Sequence, residues 1–178
     1  LTLRRVQLSG NTATGGGGGL RSAGALTITD SAIVNNTSTG SNTGGGIATV
    51  GGSLTLVNTT ISGNSATGSI GLNSGGVWTN SPTSILNCTF TNNSATGADS
   101  AGGLRRAGDT TTVVNTLIAA NQNNGTVPDV ITDQNTGITS NGNNLIGNVG
   151  IVTAFNQTGD QTGTGANPLN PLVAMLGN

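Results

Sequence analysis

The chain has 178 residues, of which 31 are glycine, with no histidine, one cysteine, six acidic and five basic residues, and a formal net charge of −1. A single cysteine cannot form an internal disulfide. Zinc and similar metals bind mainly to cysteine and histidine, and the chain has one cysteine and no histidine, so we expect neither a metal site nor a cofactor. The lack of a basic stripe argues against nucleic-acid binding, which draws most of its affinity from phosphate neutralisation, and no apolar run approaches the ~20 residues of a membrane span.

The first predicted element, Leu1–Asn11, returns four more times along the chain without gaps. Each copy ends on an asparagine, at intervals of 25, 28, 29 and 28 residues: Asn11, Asn36, Asn64, Asn93 and Asn121. Another column of the alignment holds large apolar residues: Leu8, Ile33, Ile61, Phe90 and Ile118. A period of this size indicates a repeat architecture. Because the chain opens inside a repeat, we expect it to be a processed product or a portion of a longer protein.

A glycine run and a second short apolar stretch lie between successive copies, as in Gly45–Ala48 and Gly75–Trp78. Both parts of the repeat alternate apolar and polar residues, which is the pattern of a half-buried strand, and no helical periodicity persists. Head-to-tail coils with two or three short strands each predict a parallel β-helix, in which like side chains stack about 4.8 Å apart.

The regular pattern continues to residue 121 and loosens beyond it. Asn143–Ile146 matches Asn115–Ile118 and predicts a degenerate rung, and the tail Asn167–Leu172 carries two prolines that cannot donate to a further strand. We predict one all-β domain over residues 1–178, a parallel β-helix of about six rungs of ~28 residues. Its regular rungs occupy residues 1–121, and the degenerate rung with a C-terminal capping segment occupies residues 122–178.

Two columns of polar side chains are predicted to form hydrogen-bonded ladders inside the coil. The first is the column of closing asparagines, whose amides at an inward turn would bond to the copies above and below. The second column consists of Asp30, Asn58, Asn87, Asn115 and Asn143. Arg5 takes its place in the first rung, where we expect that ladder to end. Asn36, Asn58 and Asn87 also begin Asn-x-Ser/Thr sequons, which we discount as glycan acceptors because an inward side chain leaves no room.

Two short motifs, Gly44–Ile47 (Gly-Gly-Gly-Ile) and Phe90–Asn93 (Phe-Thr-Asn-Asn), resemble the signature motifs of polymorphic outer-membrane protein repeats. The ending, with Asn144–Gly147, Gly159–Gln161 and Asn167–Pro171, is similar to that of bacterial right-handed β-helix repeat proteins that carry a C-terminal surface-anchoring domain. The resemblance covers most of the chain. It implies a right-handed solenoid belonging to a large secreted or surface-displayed bacterial protein, and its motifs specify a scaffold.

Parallel β-helices also serve glycan hydrolases and lyases, which need paired carboxylates or a strong base facing the substrate. Asp129 and Asp133 are the nearest acidic pair, and a turn or a weak calcium loop over Val127–Asp133 accounts for them better than catalysis. Arginine is a poor general base because it is effectively always protonated. We therefore predict no enzyme and no catalytic residues.

One outward column after the glycine runs is a candidate for interaction. Trp78 and Arg105 occupy it on adjacent rungs, with Arg21 lower down, so a cation–π contact could join the tryptophan to the arginine. Exposed, these residues would form a sugar-stacking platform or a subunit contact. The alternative is that Trp78 packs under a long loop.

A second outward column carries hydroxyls: Thr2, Thr27, Thr55, Ser84 and Thr112. Flat threonine arrays on β-solenoids can order water and bind ice, but such surfaces normally need two hydroxyl columns per face. Here the flanking positions Leu54 and Leu56 are predicted to point inward. Ordinary β-propensity therefore explains the column better than ice binding.

These features predict a non-catalytic, extracellular structural solenoid, either the stalk of a bacterial surface protein or a subunit of an extracellular fibre. The fibre alternative follows from the first rung, which begins without an obvious cap and would template another chain. A carbohydrate-binding adhesin using Trp78 and Arg105 is the next alternative, and a polysaccharide-active enzyme is the third. The expected partners are other copies of the chain or surface glycans, and the expected location is extracellular or on the bacterial cell surface.

Overall fold

The computed structural model describes residues 1–69, 71–97, 99–123, 128–133 and 137–173, and within them short parallel strands form four sheets. Sheet A contains β1 (Thr2–Arg4), β5 (Leu26–Thr29), β9 (Leu54–Val57), β13 (Thr83–Leu86), β17 (Thr111–Val114) and β21 (Ile138–Ser140). Sheet B contains β2 (Gln7–Ser9), β6 (Ala32–Val34), β10 (Thr60–Ser62), β14 (Thr89–Thr91), β18 (Leu117–Ile118), β22 (Leu145–Ile146) and β23 (Gln161–Thr162). Sheet C contains β3 (Thr12–Ala13), β7 (Thr37–Ser38), β11 (Ser65–Ala66), β15 (Ser94–Ala95) and β19 (Gln122–Asn123). Sheet D contains β4 (Leu20–Ser22), β8 (Ile47–Thr49), β12 (Val77–Thr79), β16 (Leu104–Arg106) and β20 (Val130–Thr132).

The chain visits the four sheets in the same order on every turn, and each strand pairs with the strand one turn later. Five turns from β1 to β20 pass through all four sheets, and β21 and β22 begin a sixth turn that does not reach sheets C and D within the described residues. The protein is thus an all-β parallel solenoid with turns of about 28 residues, which confirms the predicted fold class. Within the described residues, no helix has the length and apolarity needed to cross a bilayer.

The interior consists of stacked files of like residues. In sheet B, Leu8, Ile33, Ile61, Phe90, Ile118 and Ile146 form one file. From Ile33 onward these side chains are fully buried. A second file in sheet D contains Leu20, Ile47, Val77, Leu104 and Val130. Each turn lays one aliphatic layer on the next, so the core needs few aromatic side chains.

The glycine runs lie where neighbouring turns approach most closely. A Cβ atom placed on Gly45 would lie 2.4 Å from the carbonyl oxygen of Gly75, one turn later. Because that oxygen belongs to the backbone, it cannot swing aside. Glycine at this position allows the corner before sheet D to stack without separating the turns.

The two ends of the solenoid differ. At the start, β1 to β4 lie at the edges of their sheets, and Leu3, Leu8 and Leu20 are only partly buried against the core. At the other end, Val152 and Phe155 are buried and belong to the core. The tail predicted as a cap lies mostly exposed, and its Leu169 N–H donates to the Gly147 oxygen at 2.9 Å.

Candidate functional site

The closing asparagines form a hydrogen-bonded ladder along the inside of the solenoid. Each Nδ2 donates to the Oδ1 of the asparagine one turn later at 2.8–3.0 Å, from Asn11 through Asn36, Asn64 and Asn93 to Asn121. The same Oδ1 accepts the backbone N–H of the preceding asparagine at 3.0–3.1 Å. The second Nδ2 hydrogen goes to a carbonyl oxygen of sheet B one turn earlier, such as Ile33 for Asn64. We call this column the inner ladder.

Asp129 ends the inner ladder. Its Oδ1 accepts the N–H and the Nδ2 of Asn121, both at 2.8 Å, and its Oδ2 accepts the N–H of Asn148 at 2.7 Å. The side chain is 3 % exposed. Burial raises the pKa of the Asp129 carboxyl, against the lowering effect of the hydrogen bonds from Asn121 and Asn148. A carboxylate accepts hydrogen bonds and donates none, so Asp129 can end the row of donating asparagine amides without needing an acceptor of its own.

Asp129 and Asp133 do not face a common open space. Asp133 Oδ1 accepts from Arg105 Nη2, while both oxygens of Asp129 are occupied inside the coil. The calcium-loop alternative includes Val127, which lies outside the described residues. The role of Asp129 as a ladder terminus was missed by the sequence analysis, because its position in the chain does not follow the period of the repeat.

The second column forms a ladder on the outside of the solenoid, and its predicted inward orientation is wrong. Asn115 donates to Asn87, Asn87 to Asn58 and Asn58 to Asp30, with Nδ2 to oxygen distances of 2.7, 3.2 and 3.0 Å. These four residues are exposed. We call this column the outer ladder, and its donors point toward the start of the chain, opposite to those of the inner ladder.

Backbone conformation explains why the outer ladder faces solvent. Asp30, Asn58, Asn87 and Asn115 have φ between 48° and 52°, in the left-handed region that asparagine and aspartate tolerate better than most residues. This corner between sheets A and B turns the amide outward and the following residue inward. The sequons at Asn58 and Asn87 are consequently exposed, whereas Asn36 is fully buried.

Asp30 terminates the outer ladder as Asp129 terminates the inner one. Its second oxygen pairs with Arg4 Nε at 3.2 Å. Hydrogen bonds from Asn58 and then Arg4 lower the pKa of the Asp30 carboxyl. Arg5, which holds the equivalent corner one turn earlier, shares the left-handed conformation with φ 54°. Each ladder therefore ends on a carboxylate at its acceptor end.

The proposed platform of Trp78, Arg105 and Arg21 is not an open surface. Trp78 and Arg105 are neighbours across β12 and β16, as the repeat predicted, but they are only 8 % and 3 % exposed. Arg105 donates from Nη1 to the Asp99 carbonyl and from Nη2 to Asp133, so the chain near both aspartates covers this part of sheet D. Alternation gave the direction of the side chains correctly, and their burial agrees with the alternative in which Trp78 packs under a loop instead of forming an exposed platform. Arg21 is exposed, and Ala48 separates it from Trp78.

Burial has an electrostatic consequence at Arg105. Removal from water lowers the pKa of its guanidinium, while the negative charges of Asp133 and Asp99 act in the opposite direction. The guanidinium ties two loops to the outer face of sheet D. Its chemical role here is that of a clamp.

The segment that follows β22, residues 147–160, packs against the last turn, and we call it the closing segment. A third aspartate, Asp160, holds this segment onto the last turn. Its Oδ1 accepts the N–H and the Nδ2 of Asn144 at 2.9 and 3.0 Å, and its Oδ2 accepts from the Ser140 hydroxyl at 2.6 Å and the Gln157 N–H at 2.9 Å. Burial raises the pKa of the Asp160 carboxyl, but the hydrogen bonds outweigh it and leave the pKa below its usual value.

The predicted hydroxyl column on sheet A is in register, and it includes one more residue: Thr2, Thr27, Thr55, Ser84, Thr112 and Thr139. Leu54 and Leu56 beside it are buried, as expected. The next outward column of the sheet contains Arg4, Thr29, Val57, Leu86 and Val114. Sheet A thus presents one hydroxyl column next to a largely aliphatic one.

Comparison with known protein families, with curated proteins and with solved structures finds no match to this chain.

Proposed function

We propose that this chain is a non-catalytic structural solenoid that serves as a rigid spacer, the stalk of a protein displayed on the bacterial cell surface or secreted from the cell. The observation that carries the proposal is the inner ladder. Five asparagines join consecutive turns through bonds that are buried from Asn36 onward, and Asp129 accepts from the last of them. Such bonds resist separation of the turns along the axis, and a stalk under tension is pulled in that direction. The extracellular, bacterial setting rests on the motif resemblance of Gly44–Ile47 and Phe90–Asn93.

The charged residues support the non-catalytic part of the proposal. Asp30, Asp129 and Asp160 each terminate or close a set of turn-to-turn hydrogen bonds, and Arg105 clamps two loops. These three carboxylates are therefore engaged in holding the fold together. Asp133 also belongs to this framework through its ion pair with Arg105.

The stalk is tested by pulling the protein from both termini in a single-molecule force experiment. We expect unfolding in discrete steps, each releasing one turn of ~28 residues, or about 90–100 Å of extended chain. Asn64→Ala should lower the unfolding force, because it breaks buried bonds to both neighbouring turns. Asn58→Gly, in the exposed outer ladder, is the matched control and should leave the force unchanged. Extension at low force without steps would contradict the proposal.

A further inference from the structure

Sheet C carries two parallel columns of hydroxyl side chains on its outer face. The first column is Thr12, Thr37, Ser65 and Ser94 on four successive turns. The second, two residues further along each turn, is Thr14, Thr39, Thr67 and Thr96. The residues between the columns point into the solenoid, where Ser38, Ala66 and Ala95 are buried. We call these eight side chains the hydroxyl face.

The second column continues the parallel register of the first. The N–H groups of Thr39, Thr67 and Thr96 donate to the carbonyl oxygens of Ala13, Ser38 and Ala66, one turn earlier, at 2.8–3.0 Å. The turns of a parallel sheet lie about 4.8 Å apart, and alternate residues of one strand about 6.6 Å apart. The eight hydroxyl positions therefore form a two-dimensional grid.

Three hydroxyls of the second column lie in similar positions. Those of Thr39, Thr67 and Thr96 lie 3.3–3.5 Å from the carbonyl oxygens that accept their own N–H groups, and the Thr96 hydroxyl also donates to the Gly68 oxygen at 3.2 Å. Threonine is stiff about its first side-chain torsion, so the shared bond repeats one rotamer from turn to turn. In the first column, the Ser94 hydroxyl donates to that of Ser65 at 3.1 Å. Oxygens and methyl groups thus recur at regular positions.

Glycines border the hydroxyl face. Gly15, Gly40, Gly68 and Gly97 follow the second column. A Cβ on Gly68 would lie 1.9 Å from the Gly40 oxygen, and one on Gly40 would lie 2.8 Å from the Gly15 Cα. Close stacking of the turns therefore excludes side chains at Gly40 and Gly68. The eight residues of the face carry no charge, whereas Arg4 lies on the outer face of sheet A and Arg21 on that of sheet D.

We propose that the hydroxyl face binds ice. A rigid, uncharged grid of hydroxyl and methyl groups, with repeats of a few ångströms in two directions, can hold a layer of water in lattice-like order. Each ordered water costs little entropy and keeps its hydrogen bonds, so the gain grows with the number of matched positions. Sheet A does not provide such a grid of hydroxyl groups, because its second outward column is largely aliphatic. The inference goes beyond the structural role and does not depend on it.

The test is ice recrystallisation inhibition and thermal hysteresis of the purified protein, with serum albumin as the inactive reference. We expect wild-type protein to inhibit recrystallisation and Thr67→Lys to need at least ~10-fold more protein for the same effect, since a charged side chain at the centre of the grid breaks the match and costs about 1.4 kcal/mol or more of adsorption energy. Ser84→Lys, on the hydroxyl column of sheet A, is the matched control and should act like wild type. Thr67→Val, which keeps the shape, should lose less than Thr67→Lys.

Three outcomes overturn the proposal. The first is wild-type protein that inhibits ice recrystallisation no better than albumin, and the second is equal activity of Thr67→Lys and Ser84→Lys. The third outcome is binding to crystalline cellulose or chitin that Thr67→Lys abolishes, without any effect on ice, which would assign the face to an insoluble glycan. Circular dichroism and urea unfolding of each variant establish that the comparison concerns folded protein, and Thr39→Lys replaces Thr67→Lys should that variant not fold.

Discussion

At the scale of the residue, the inner ladder uses every hydrogen-bonding position of an asparagine amide. Asn64 donates to Asn93 and Ile33, and its Oδ1 accepts both the N–H and the Nδ2 of Asn36. An amide offers two donors and two lone pairs, and all four are engaged. Aspartate lacks the donors, which explains why one can only stand at the acceptor end, as Asp129 does.

We predict that Asn64→Ala lowers the free energy of unfolding by about 3–5 kcal/mol, because the buried Asn36 N–H loses its acceptor and Asn93 Oδ1 and the Ile33 oxygen each lose a donor, at a cost of about 1–3 kcal/mol for each buried group. Asn58→Gly should cost less than about 0.5 kcal/mol, since Asn58 is exposed and glycine accepts its φ of 48°. Urea unfolding of the two variants measures the difference. Equal losses of unfolding free energy in the two variants would contradict the prediction that the buried inner ladder stabilises the protein more than the exposed outer ladder does.

A pH dependence of stability follows from Asp129. Burial sets its folded pKa above the unfolded value of about 3.9, so the folded state binds the proton more tightly, and this contribution to stability declines as pH rises from about 4 through the raised pKa. The lowered pKa of Asp160 has the opposite sign and acts below about pH 4. Urea unfolding between pH 4 and 7 should show a decline in wild type that Asp129→Asn lacks. A wild-type stability that rises steadily over this range contradicts the assignment.

Periodicity predicted the residues of both ladders and could not predict how they end. Asn36 and Asn58 repeat at every turn, so their columns are visible in the sequence. Asp129 follows Asn121 by only eight residues and lies outside any period of the repeat. Periodicity also does not give the face on which a corner residue lies. That depends on the positive φ at Asn58, which a bare column of asparagines does not reveal.

At the scale of the element, the glycines of one run have different roles. A Cβ on Gly17 would lie 1.7 Å from the Leu20 carbonyl oxygen, whereas one on Gly15 would have no atom within 4 Å. We predict that Gly17→Ala destabilises the protein by about 1–3 kcal/mol or more, through overpacking against backbone, and that Gly15→Ala is neutral or stabilising by up to about 1 kcal/mol. Thermal unfolding of both variants checks this, and similar melting temperatures would argue against close stacking at Gly17.

Strand alternation identifies the direction of a side chain, and the surrounding loops decide its exposure. Trp78 and Thr67 both point away from the core, but Trp78 is buried and Thr67 is exposed. The segment that covers sheet D includes Asp99 and Asp133, whose contacts with Arg105 have no counterpart in the repeat. The face of sheet C was missed for a related reason. Its strands are only two residues long, too short for alternation to be recognised.

At the scale of the whole molecule, the last turn of the solenoid is covered by the closing segment, whose Val152 and Phe155 belong to the core. Turns in such a protein contact only their neighbours, so stability should vary along the axis instead of being shared equally. The covered end depends on Asp160, which joins Gln157 in the closing segment to Ser140 and Asn144 of the last turn.

Hydrogen exchange of backbone amides can test how much the closing segment stabilises the last turn. Asp160→Ala removes the acceptor of the Asn144 backbone N–H, so we expect the N–H groups of Leu145 and Gly147, which donate to the Thr116 and Ile118 oxygens, to exchange at least ~10-fold faster, the equivalent of about 1.4 kcal/mol of local stability. Amides of β10, three turns away, should be unaffected. Asp30→Gly is the control, because it removes a carboxylate from the exposed ladder and keeps the corner conformation. Faster exchange throughout the protein would instead mean that the turns unfold as one cooperative unit, and the rigid spacer would then fail all at once under load.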